Sequence, residues 1–313
     1  MERYVLLMVN LIGINVILAI GLHIITGLTG QFSLGHASFA AIGAYTAALL
    51  SLNAEVPFFV GLPVGGLVAA LIGWVVAFSS TRFKGDYLAL VTLGFGEIVR
   101  VVLLNLQITN GAYGLTRIPQ ETTISVIGII VVLGILISLA LERSYAGRAM
   151  WAVRDDEEAA EALGVHLSYY KQLAFVLGTF LAGLAGGLYA HYLTYINPQD
   201  FGMSRSVEIL LYVIIGGMGQ LWGAILGAAV LTLLPEFLRG FSDYRMIVYG
   251  AILVLIMIYR PEGLLGTRGS TGFNFGRLIR RAGPKAAASE KKTVVQKESA
   301  GETKAAEGGT SGL

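Results

Sequence analysis

Apolar residues along this chain come in long runs rather than at strand or amphipathic-helix periods. Stretches at 5–25, 32–52, 58–78, 87–104, 124–141, 173–193, 207–234 and 246–259 are separated by short polar or glycine-rich breaks. A helix needs ~20 apolar residues to cross the ~30 Å hydrocarbon layer, and inside lipid only structures that satisfy their own backbone survive. The pattern predicts an all-α polytopic membrane protein of about eight transmembrane or re-entrant helices, in a range of eight to ten. The first run is long enough to span and has no small-x-small cleavage site, so it is expected to remain as the first helix. Composition agrees: 55% of residues are hydrophobic, 13% are charged and the mean hydropathy is +0.71, whereas soluble domains average about 25% charged.

Charge placement predicts the topology. Short loops rich in Lys and Arg stay cytoplasmic. That description fits the segment 143–171, with Arg143, Arg148, Arg154 and Lys171, and the chain from Arg260 onward, which holds ten Lys/Arg against five Asp/Glu. Both ends of the last three runs then lie on one side, which three plain crossings cannot achieve. The run 207–234 is too long for one span and contains Gly216, Gly217, Gly219 and Gln220, so it is expected to be a re-entrant pair or a tightly turned hairpin. With Arg3, Arg82 and Lys84 also inside, the run 32–52 is not an ordinary crossing either, and it opens at Gly27, Gly30 and Gln31. Paired broken segments in two halves point to a transport path, and two ordinary glycine-rich turns are the alternative. Small residues four apart, Ala182 with Gly186 and Gly183 with Gly187, predict close helix packing. Two domains are expected: a membrane domain over 1–266, and a disordered basic cytoplasmic tail over 267–313 whose composition cannot bury enough apolar surface to offset its ordering entropy. An amphipathic piece at 273–281 could rest on headgroups.

Several chemistries are missing. There is no cysteine, no phosphate-cradling Gly-x-x-x-x-Gly-Lys-Ser/Thr loop, and no metal-ligand spacing among His23, His36, His166 and His191. The fragment 30–36 fails the nucleophile-elbow pattern because position 31 is Gln31. An intramembrane serine protease built on Ser33 with His36 or His191 has no visible orienting acid. Ionisable residues within the runs are few: Asp86, Glu97, Arg100 and Glu208. Glu97 and Arg100, three apart, read as a self-neutralising pair. An ion-coupled secondary carrier would be expected to show more unpaired acids at membrane depth.

The charge-dense loop supplies what is missing. Asp155 is read as an N-cap with Glu158 at the third helical position, and acidic residues in the first turn favour the helix dipole. Gly164 ends the helix as a C′ glycine after about two turns. Its apolar stripe, Ala159, Ala162 and Leu163, is small enough to seat in a groove on another protein.

The pattern Glu158-Ala159-Ala160-x-x-x-Gly164 resembles the cytoplasmic motif through which importer-type ABC permeases dock onto their ATPase. The segments GLTGQFSLGHA (27–37), AIGAYTAALL (41–50), RFKGDYLALVTLGFGEIVR (82–100), GRAMWAVRDDEEAAEALGV (147–165), KQLAFVLGTFLAGLAGGLYAHYL (171–193), IIGGMGQLWGAILGA (214–228) and YRPEGLLG (259–266) resemble the branched-chain amino acid permease family. The resemblance covers about residues 3–266. It implies a non-enzymatic permease subunit of an ABC importer in the bacterial inner membrane, with the N-terminus, coupling loop and tail cytoplasmic. A homologous second permease would form a heterodimer with it, two ATP-binding subunits would carry ATP and magnesium, and a periplasmic binding protein would deliver Leu, Ile or Val. No cofactor would be bound by this chain. Similar permeases serve urea, short amides and other small solutes. The implied ATPase-coupling residues are Arg154, Asp155, Glu158, Ala159, Ala160, Leu163 and Gly164. Polarity and backbone freedom at the breaks nominate Gly30, Gln31, Ser33, His36, Gly217, Gly219 and Gln220 for the translocation path.

Overall fold

A computed structural model describes residues 2–80, 86–237 and 263–265, together with Gly250 and Val254. The expectations for Arg82, Lys84, the 273–281 piece and the 267–313 tail lie outside the described residues, as does most of the 246–259 run.

The apolar runs become helices with the predicted breaks. Helix α1 (Glu2–Leu22) continues as a π-helical stretch through His23–Leu28. An irregular segment leads to α2 (His36–Asn53), then α3 (Phe58–Ser80), α4 (Asp86–Asn105) and α5 (Ile124–Arg143). The charged loop folds as two helices, α6 (Tyr145–Asp155) and α7 (Glu157–Ala162), and α8 (Leu167–Leu193) follows. The run 207–234 resolves into α9 (Met203–Gly216) and α10 (Leu221–Phe237), a hairpin turned at the glycine cluster. Among the described residues, five helices are long and apolar enough to cross a membrane. The protein is a multi-pass helical membrane protein.

Helix α8 is the axis of the bundle: 67% of its most apolar window is buried, against 17% for α4. It packs on α1, α2 and α3. Without a hydrophobic effect between helices in lipid, backbone proximity must supply the attraction, and the small residues allow it. A Cβ on Gly186 would fall onto the Ala40 carbonyl, and one on Gly183 would collide with Ala69 and Gly66. The outer faces of α3, α4 and α5 instead present large apolar side chains, among them Leu71, Ile98 and Leu133, as a lipid-facing surface requires.

One topological expectation is corrected. Helix α1 runs without interruption to Leu28, and that end meets the charged loop: His23 Nε2 lies 3.0 Å from Glu142 Oε1 near the end of α5. Helix α1 therefore begins at the opposite end of the bundle from α6 and α7. The run 32–52 begins as irregular chain over 29–35 and continues as α2. The lone Arg3 is a weak topological signal.

Candidate functional site

Non-helical chain at membrane depth must find partners for its N–H and C=O groups, and neighbouring hydroxyls supply them here. At the first break, Thr26 Oγ1 donates to the Gln31 carbonyl (2.9 Å) and the Leu34 amide donates to Thr92 Oγ1 of α4 (3.0 Å). Ser38 Oγ donates to the Gly35 carbonyl (2.6 Å), and the Ala37 amide at the start of α2 is capped by Ser206 Oγ of α9 (3.2 Å). Gln31, Ser33 and His36 are all buried. Gln31 Oε1 and Ser33 Oγ have no hydrogen-bond partner among the described residues. The first break thus holds buried polar side-chain atoms without a protein partner among the described residues. Among the described residues Ser33 Oγ bonds to no histidine, and His191 is engaged by Ser51 (2.9 Å) and the Gly187 carbonyl (2.9 Å).

The second break lies between α9 and α10. Gly217 (φ 121°) and Gly219 (φ 88°) adopt left-handed backbone, and the Gln220 amide closes the turn on the Gly217 carbonyl at 3.2 Å. The last carbonyls of α9, orphaned by the helix end, are taken by the YRPEGLLG segment: Leu264 N–H donates to Ile215 (2.8 Å) and Leu265 N–H to Gly216 (3.2 Å).

Both breaks converge on Arg154, near the end of α6. Its Nη1 donates to the Gly27 carbonyl of the first break, and its Nη2 reaches the Met218 carbonyl of the second at 3.5 Å. The guanidinium carbon sits 5.1 Å from the centre of the Trp151 ring, one helical turn earlier, a cation–π arrangement that fixes the side chain. Gly30 and Gly219 make the room: a Cβ on Gly30 would lie 3.2 Å from Arg154 Cγ, and one on Gly219 would overlap the guanidinium. Burial lowers the guanidinium pKa from its ordinary value and Asp155 opposes that shift; the group stays charged.

Helix α7 is presented on the same end. Its N-cap is Asp156, which accepts from the amides of Glu158 (3.0 Å) and Ala159 (3.1 Å). This corrects the expected cap at Asp155, which is the last residue of α6. Asp156 takes an extended conformation, φ −159° and ψ 109°, so a single residue separates the helices and Glu158 falls at the second helical position. Gly164 (φ 85°) ends the helix as anticipated. Lys171 at the start of α8, itself buried, holds Glu157 at 2.6 Å. Ala160 is buried against the chain's own helices, whereas Glu158, Ala159, Ala162 and Leu163 are exposed, Leu163 at 83%.

Sequence reasoning passed over one group. Arg205, in the first turn of α9, pairs with Glu208 at 2.7 Å and also reaches Asn15 of α1. Glu208 accepts from the Tyr212 hydroxyl (2.7 Å), and Asn15 donates to Thr232 of α10 (2.9 Å). The signal was present: an Arg three residues before a Glu, at the mouth of an apolar run. As anticipated, Glu97 and Arg100 form their own pair at 2.7 Å.

A family model described as "Branched-chain amino acid transport system / permease component" matches residues 4–257. The chain belongs to this permease family. The permease is 38% identical to the high-affinity branched-chain amino acid transport system permease protein LivM of Salmonella typhimurium and to that of Escherichia coli K12, over 80% of this chain and 68% of each relative. It is 26% identical to the corresponding LivH protein of Escherichia coli K12, over 80% and 90%. No solved structure matches this permease.

Proposed function

We propose that this permease is one of two homologous membrane subunits of an ATP-driven importer for leucine, isoleucine and valine. Its partner permease, two ATP-binding subunits and a solute-binding protein on the far side complete the assembly. Helix α7 is the part an ATPase grips. It is capped at both ends, tied to α8 through Lys171, and offers Glu158, Ala159, Ala162 and Leu163 outward, while Ala160 keys it to its own subunit. The observation that carries the mechanism is the bridge from Arg154 to the carbonyls of Gly27 and Met218. Through it, a displacement of α6 and α7 reaches both helix breaks at once.

In this reading, ATP binding and hydrolysis occur on the partner subunits and the permease contributes no bond-making chemistry. Closure of the ATPases moves α7, and α6 moves with it across the single residue Asp156. Arg154 then pulls on the 27–31 and 217–220 segments, whose glycines allow the backbone to rearrange. Gln31, Ser33, His36 and Gln220 line the opening path with polar atoms that a passing solute can exchange hydrogen bonds with. The end bearing α6 and α7 is cytoplasmic, and the membrane is the bacterial inner membrane.

The test is uptake of labelled leucine into vesicles carrying both permeases, the ATP-binding subunits and the binding protein, with each kind of component omitted in turn. Import should require every component and be competed by isoleucine and valine. Import by this chain alone, or uptake of urea but of none of the three amino acids, would refute the assignment.

A further inference from the structure

Two helices of this bundle start inside it rather than at an end. Helix α2 begins at His36, which hydrogen-bonds to the Leu18 backbone of α1. Helix α9 begins at Met203, and its first turn reaches Asn15, roughly 20 Å along α1 from Leu28. The two starts are joined, because Ser206 Oγ accepts from the Ala37 amide at 3.2 Å. Beside that bond, buried Asn15 holds both arms of the α9–α10 hairpin. Its Oδ1 accepts from Arg205 of α9, and its Nδ2 donates to Thr232 Oγ1 of α10 at 2.9 Å. The Thr232 hydroxyl donates its own proton to the Ala228 carbonyl (2.6 Å), so toward Asn15 it only accepts, which fixes the orientation of the amide. Arg205 is kept in place by Glu208, and Glu208 by the Tyr212 hydroxyl. Charged groups at this depth are costly and mark function.

The hairpin itself is packed backbone on backbone. A Cβ on Gly227 would overlap the Tyr212 carbonyl, and Gly216 and Gly223 meet as closely, so α9 and α10 move as one body. Toward α1 and α2 the same body faces small or aliphatic side chains, Ile14, Leu18, Ala37 and Ala40, across its own Ile209. The space left among them is about 10 Å³, room for one water, so the bundle is shut at this depth. Interhelical hydrogen bonds in a membrane are individually weak, and water or solute entering between the helices can replace each of those made by Asn15 and Ser206. At its other end α9 runs into the turn whose Met218 carbonyl Arg154 reaches. One rigid body is therefore held by Arg154 at one end and by Asn15 and Ser206 at the other.

We propose that Asn15 and Ser206 are gate residues: a polar clasp that holds the α9–α10 hairpin shut on α1 and α2, and that opens when the ATPases displace the hairpin through Arg154. Both act by positioning the hairpin. Helix α9 is the lever, its 14 residues spanning about 21 Å between the clasp and the Arg154 contact. The inference rests on the proposed function, since it needs an ATP-driven displacement at the α6–α7 end.

The chain has no cysteine, so one introduced thiol reports on the gate. Ala40→Cys, on the closed face, is placed in the complete permease–ATPase complex in nanodiscs, and its reaction with a charged, water-soluble methanethiosulfonate is timed from the mass of this chain; Leu18→Cys is the second reporter. Labelling should be slow without nucleotide and at least about tenfold faster with ATP and vanadate trapped on the ATPases, within the span usual for coupling between sites. Asn15→Leu and, independently, Ser206→Ala should give the fast rate without nucleotide, together with ATP hydrolysis that no longer depends on the binding protein, which a merely loosened fold would not produce. Thr232→Val should also speed labelling, while Thr232→Ser, which keeps the hydroxyl, should match the parent. The nucleotide comparison needs no gate variant to fold. If the complex imports leucine, labelling of both reporters that ignores nucleotide, or Asn15→Leu and Ser206→Ala complexes that label as slowly as the parent, would overturn the clasp while leaving the importer assignment standing. Failure of the unaltered complex, supplied with its binding protein, to import leucine, isoleucine or valine would instead remove the assignment itself.

Discussion

Arg154 donates a hydrogen bond to the carbonyl of Gly27, 127 positions earlier in the chain, and so ties the α6–α7 helix pair to the end of the first membrane helix. The same guanidinium reaches Met218 in the α9–α10 turn. A planar fork can serve two carbonyls in different directions; an ammonium on a flexible stem holds neither in a fixed geometry.

Arg154→Lys should therefore keep the complex assembled and hydrolysing ATP while leucine import falls roughly tenfold, within the span usual for coupling between sites. Paired ATPase and uptake assays on the same vesicles measure this. Parallel loss of both activities would show that Arg154 serves assembly rather than transmission.

Two glycines with positive φ separate backbone strain from steric conflict. Gly164→Ala meets open space and carries only the left-handed penalty of about 1–2 kcal/mol. Gly219→Ala carries the same penalty and also drives a methyl into the Arg154 guanidinium. Thermal unfolding in detergent should rank Gly219→Ala as clearly the less stable, and import should drop with it. Equal midpoints would mean that Arg154 yields at no cost.

The Leu163 side chain is 83% exposed. Leu163→Asp should leave expression and the melting midpoint within about 0.5 kcal/mol of the parent and abolish co-purification of the ATPase. Retained co-purification would move the docking surface elsewhere on the α6–α7 end.

Lys171 is buried while Glu157 is partly exposed, and they pair at 2.6 Å. Removing one partner of such a pair leaves a charge without compensation, whereas replacing both is often neutral. Glu157→Gln should destabilise the permease, and the double variant Glu157→Gln with Lys171→Met should recover most of the loss. A double variant that is no better than the single would mean the pair contributes only locally to α7.

The helix inventory was open to sequence reasoning because lipid imposes it. A run of ~20 apolar residues has one good solution in hydrocarbon, and α3, α4 and α5 appear within a residue or two of their runs. The breaks at 27–31 and 216–220 were visible for a related reason, since clustered glycines weaken a helix wherever they fall. The direction of α1 was misread because Arg3 says little against the geometry of a whole bundle. The cap of α7 was misplaced by one residue, because Asp155 and Asp156 are chemically equivalent candidates and only the path of α6 chooses between them.

Local chemistry, read along the chain, was enough to establish a membrane bundle, its two weak points, and a short capped helix in a charged loop. The family followed from motifs spread over most of the chain. Bringing those parts into contact required the tertiary structure. Arg154 meets Gly27 and Met218, Ser206 caps α2, and Asn15 holds Arg205 and Thr232. Each joins positions far apart in sequence, and no periodicity or spacing encodes such a meeting. They are decided by how closely small residues let the helices of this bundle pack.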